Sequence, residues 1–210
     1  MVLRLEAQKR LVPTDGPHRL TEHDAGSAVT AVPARLLACD YVDRELLVQR
    51  TTGPAQWADG SRDIGVRLDV LLADSADRTP IVGELKLPGD MDPFFALVQA
   101  LACAAHLATD NQYERMRRHL SRGRFLELAA PPHLDVWLLF LNSPNYRPGQ
   151  PPKGRYMAEL QNTAEALAPL LLAQEATRGS LRRIAGLGMN RDPSGGVTSE
   201  VRWAWGRSGE

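Results

Sequence analysis

Two runs in the middle of the chain, residues 65–73 and 79–87, are β-rich and place apolar and polar side chains with a period of two. The polar segment Asp74-Ser75-Ala76-Asp77-Arg78 separates them, so the pair reads as an antiparallel hairpin. With the turn centred between Ala76 and Asp77, Asp69 faces Glu84 and Arg67 faces Lys86. Val66, Leu68, Val70 and Leu72 then share a wholly apolar face with Ile81, Gly83, Leu85 and Leu87. The opposite face carries Leu71, Ala73 and Val82 toward the turn and Asp69, Glu84 and Lys86 at its open end. A one-residue slip would bury every charge, which fixes the register.

The same patterning predicts the remaining elements. Thr21-Glu22-His23-Asp24 is a capping box opening a helix that runs toward Cys39, and residues 46–51 form a first short strand. Pro88 to Pro93 is a turn with Asp92 as N-cap and Pro93 in the first helical position. Residues 94–108 form a helix that is apolar on almost every side, interrupted by Gln99 and His106. A basic helix over 112–122, a strand over 134–141, a long amphipathic helix over 155–178 and closing strands near 181–189 and 198–205 follow. Residues 1–20 read as an irregular arm, and 21–210 as a single α/β domain with a central mixed sheet flanked by helices.

Composition narrows the classes. A chain of 210 residues, 43% hydrophobic, buries one sizeable core. Formal net charge is zero, so no global field draws it to a polyanion or an anionic membrane. Cys39 and Cys103 are too few and too far apart for a zinc cluster or a disulfide framework and suit buried thiols in a reducing cytoplasm. No apolar stretch approaches the length of a membrane span.

Lysine usage points to chemistry. Positive charge is carried by Arg at 22 positions and by Lys at three, Lys9, Lys86 and Lys153. Lys86 ends the strand-like run Ile81-Val82-Gly83-Glu84-Leu85-Lys86-Leu87, where a compact ammonium with a tunable pKa has survived a strong bias toward guanidinium. Asp69 and Glu84, opposed across the hairpin, offer hard oxygen ligands that one Mg²⁺ can bridge. An ammonium two residues on reaches a metal-bound water or a scissile phosphate, a set suited to phosphodiester hydrolysis. The bland alternative is a solvated cross-strand charge network in which Arg67 supplies the cation that keeps Asp69 and Glu84 from repelling.

An Asp in the second strand, Glu-x-Lys in the third and a helix packed next on the sheet together resemble the PD-(D/E)XK nuclease superfamily. The resemblance covers roughly residues 21–142. It implies a restriction-endonuclease-like core of a helix, three antiparallel strands, a helix and a further strand. It also implies Mg²⁺ as cofactor, with Mn²⁺ able to substitute, bound by Asp69, Glu84 and the Leu85 carbonyl. Lys86 would orient or activate the attacking water. Gln99 matches a helix Gln of exonuclease-like members, and equally suits a buried Gln that satisfies backbone groups. Leu68 stands where the motif's name has Pro, and Glu22 and Glu45 flank the first helix without matching its ligand position.

Arg115, Arg118 and Arg122 share a face of the basic helix and form a candidate stripe for backbone phosphates, DNA in the first place. No base-reading module accompanies them. The expectation is a metal-dependent nuclease. The alternative is an inactive nuclease-fold module that binds nucleic acid or a protein, including a subunit of a defence or repair assembly that works with a recognition partner. Paired cuts would require a homodimer.

Overall fold

The computed structural model describes residues 9–15, 29–48, 67–86, 94–121, 133–141, 155–191 and 196–207. Within these the chain forms β1 (Arg10–Leu11), β2 (Thr14–Asp15), β3 (Val29–Ala31), β4 (Cys39–Leu47), β5 (Arg67–Asp74), β6 (Pro80–Lys86), α1 (Phe94–Leu107), α2 (Asp110–Ser121), β7 (Leu134–Leu141), α3 (Arg155–Ala173), β8 (Leu181–Arg191) and β9 (Val197–Arg207). All nine strands belong to one mixed sheet in the order β1-β4-β5-β6-β7-β8-β9-β2, with β3 also paired to β9.

The hairpin takes the expected register: Val70 pairs with Gly83, Leu71 with Val82, Leu72 with Ile81 and Ala73 with Pro80. Its turn is fixed by side chains, since Asp74 Oδ1 accepts the Ala76 N–H at 2.7 Å and Asp77 Oδ1 accepts the Thr79 N–H at 2.9 Å. β6 continues into β7 and β7 into β8 as parallel pairs. Every residue of β7 is buried, which explains its nearly unbroken apolar run: both faces of this central strand are covered.

The two faces hold two cores. Val82, Leu138 and Phe140 pack with Ala100 and Leu107 of α1, Tyr113 of α2 and Ala168 and Leu172 of α3, so all three helices lie on one face. Val70, Leu72, Ile81, Trp137 and Leu139 pack on the other face with Leu11, Val32 and Leu37. The alternation fails at Leu68, which joins the helix-side core. Its partner Leu46 follows Glu45, whose φ of 50° turns the end of β4.

Two expectations are corrected. The described part of the expected first helix is β3, a 3₁₀ turn at Ala34–Leu36 and the start of β4. Val29, Thr30 and Val32 are β-branched and pair along β9, and Pro33 (φ −64°, ψ 145°) lacks an N–H and disfavours helix at the residue before it. The first core strand is accordingly Cys39–Leu47 instead of 46–51. The irregular arm contains β1 and β2, which pair with β4 and β9, the two ends of the main sheet path. Only Val12 and Pro13 separate them, so the sheet is drawn into a curl whose edges the arm closes. The capping box at Thr21, Glu22 and the turn from Pro88 to Pro93 lie outside the described residues.

Candidate active site

The hairpin ladder is regular as far as Val70 and Gly83. Beyond that step the Leu85 N–H donates to Asp69 Oδ2 at 2.9 Å. The Arg67 carbonyl receives its hydrogen bonds from α1, with Gln99 Nε2 at 3.3 Å and the Cys103 thiol at 3.4 Å. Strand groups that leave a ladder need other partners. At this end of the hairpin they are a carboxylate and a helix, and the space so framed holds Asp69, Glu84 and Lys86.

Glu84 is 2% exposed. Its Oε1 lies 3.5 Å from Lys86 Nζ, while Oε2 has no hydrogen-bond partner among the described residues. Burial, with the Asp69 carboxylate adding to it, pushes the Glu84 pKa up to about 8, and Lys86 pulls the other way. Arg67 forms no ion pair among the described residues, so it does not supply the balancing cation. With all three groups ionised, two carboxylates face one ammonium, and one negative charge stays uncompensated among the described residues. Such a site holds either a proton on Glu84 or a cation.

The remaining expected residues fall as follows. Gln99 Nε2 engages the Arg67 backbone carbonyl. Leu85 is half-buried, packs on the face away from the helices and pairs with Leu139. Arg115 Nη2 donates to the Val48 carbonyl at 2.9 Å, and Arg118 pairs with Glu114 at 2.9 Å, so both described members of the basic stripe have protein partners. Arg122 lies outside the described residues. Glu45, which the sequence placed just past the first helix, is exposed on β4. Among the described residues, no set of three or more His, Cys, Asp or Glu side chains gathers to hold a metal. A cation here would have two carboxylates, and backbone, water or substrate oxygens would have to complete its shell, which Mg²⁺ accepts.

Two features escaped sequence reading. Cys103 packs beside the site, and its thiol is pushed up to about 12 by burial and by the charges of Glu84 and Asp69, so it stays protonated and can donate to Arg67. At the other end of the sheet, fully buried Asp135 accepts from Arg182 Nε at 3.0 Å and Arg183 Nε at 2.8 Å, and both arginines also pair with Asp74. Asp135 within an apolar strand and the adjacent Arg182-Arg183 were visible signals, but nothing in periodicity joins them.

No protein-family model matches the chain, and no curated protein or solved structure matches it either. No described helix is long and apolar enough to cross a membrane.

Proposed function

We propose that this protein is a Mg²⁺-dependent phosphodiesterase acting on nucleic acid, with DNA as the first substrate to test, and that Asp69, Glu84 and Lys86 carry the reaction. The observation behind this reading is the buried Glu84, whose Oε2 has no hydrogen-bond partner among the described residues, beside Asp69 and the Lys86 ammonium. The order β4, β5, β6, α1, β7, with β7 parallel to β6, agrees with the restriction-endonuclease-like core after its first helix, and supports that finer fold assignment.

Asp69 and Glu84 would hold the cation, with the Leu85 carbonyl as a further oxygen. When bound, Mg²⁺ supplies a lowered pKa for water and polarisation of the phosphate. Lys86, anchored on Glu84, orients the attacking water and stabilises charge developing on the phosphoryl oxygens. Gln99 and Cys103 act one step removed. By holding the Arg67 carbonyl they position the β5 segment that presents Asp69.

A second reading, a catalytically inactive module that binds nucleic acid or a protein partner, rests on the absence among the described residues of a set of three or more ligating side chains. Incubating the purified protein with single- and double-stranded DNA and with RNA, in Mg²⁺, Mn²⁺ or EDTA, separates the two. Metal-dependent cleavage supports the enzyme. Salt-sensitive binding that needs no metal, without cleavage, supports the module and sinks the enzyme reading.

A further inference from the structure

The turn end of the hairpin, five residues along β5 from Asp69 and therefore about 17 Å away, borders a cleft of about 340 Å³. Its wall includes four guanidinium groups, Arg10, Arg35, Arg182 and Arg183, together with Asp74, Asp77 and Ser75. This is the volume of a small-metabolite site.

The charges in the wall are unevenly matched. Arg182 and Arg183 are buried and share Asp74 and Asp135, and Arg183 Nη1 also donates to the Leu36 carbonyl at 2.7 Å. Arg182 Nη1 pairs with Asp77, a turn residue whose side chain is half exposed. Arg10 and Arg35, both exposed, form no ion pair among the described residues. The Ser75 Oγ is buried in the wall without a hydrogen-bond partner among the described residues. Asp77 therefore sits on the cleft's buried arginine as an internal anion, half exposed to solvent. Without it, the four guanidinium groups outnumber Asp74 in the wall and Asp135 behind it by two positive charges among the described residues.

We propose that this cleft binds a phosphate-bearing small molecule, whose dianionic group displaces Asp77 from Arg182 and is clasped by Arg10, Arg35 and the Ser75 hydroxyl. Guanidinium forks match phosphate oxygens in pairs, and a phosphate monoester dianion neutralises the surplus. The site is separate from Asp69, Glu84 and Lys86 and does not depend on the nuclease reading.

The test is calorimetric titration and thermal unfolding of the whole chain with inorganic phosphate, pyrophosphate and adenosine monophosphate, with chloride holding ionic strength constant. Saturable binding that raises Tm is expected. An Arg10→Ala/Arg35→Ala double variant, altered only at exposed positions, should bind at least about tenfold more weakly while keeping its unliganded Tm. Asp77→Asn, which removes the internal competitor, should bind several-fold more tightly. An absence of saturable binding to all three anions, equal binding by the double variant, or weaker binding by Asp77→Asn would each overturn the proposal.

Discussion

Replacing Glu84 with Gln should invert the normal expectation for removing a charged group from an ion pair. In the folded protein the Glu84 carboxyl holds its proton up to about pH 8, against an ordinary value of 4.5. The folded state therefore binds more protons than the unfolded chain between these values, and the contribution to stability, complete below the lower one, is lost as pH rises toward the upper. Each pH unit inside the window is worth about 1.4 kcal/mol. From pH 5 to pH 8 the wild type should lose about 3–4 kcal/mol relative to Glu84→Gln, which cannot titrate there. For a chain of this size that corresponds to a relative Tm change of about 10 °C. Urea unfolding of both proteins in EDTA, at intervals across this range, measures the difference directly, since all other titrating groups are common to the two. A difference that stays flat within about 1 kcal/mol would refute the claim that Glu84 is buried against Asp69 with too little positive charge nearby.

Asp135→Asn should destabilise the fold by several kcal/mol in urea unfolding, up to about 3–5 kcal/mol, because Arg182 and Arg183 keep their burial but lose their shared carboxylate. Gly186→Ala should lower Tm by an amount equivalent to about 1–3 kcal/mol, since a Cβ there would lie 2.5 Å from the Trp203 ring, whereas Gly179→Ala, with nothing within 4 Å, should be neutral or slightly stabilising. In the cleavage assay Lys86→Ala should reduce the rate by about 10²-fold or more, and Lys86→Arg should fail to restore it, because a guanidinium fork does not fit the space of a compact ammonium.

The part of the candidate site built from neighbouring residues is legible in the sequence. A period of two and one turn set the hairpin register, and the register set Asp69, Glu84 and Lys86 on one face. What periodicity could not supply was pairing over long separations. Asp135 meets Arg182 and Arg183 across 47 and 48 residues, and Asp74 meets them across more than 100. Residues 29–31 read as helix from the capping box upstream, whereas the β-branched residues, Pro33 and pairing to β9 make them a strand. The arm read as irregular because two-residue strands carry no alternation to detect, yet these strands close the curl. Gln99 was legible as a polar break in an apolar helix, but its choice between chemistry and the backbone depended on where the β5–β6 ladder ends. Cys103, one turn further on, looked like any buried thiol.

The most direct measurement is calorimetric titration of Mn²⁺ into the wild type, Asp69→Asn and Glu84→Gln at pH 8, with Mg²⁺ as competitor. One Mn²⁺ site, displaced by Mg²⁺ and lost in both variants, is the predicted result. Mn²⁺ binding that is absent in the wild type, or unchanged when either carboxylate is removed, would contradict the assignment of Asp69 and Glu84 as a cation site.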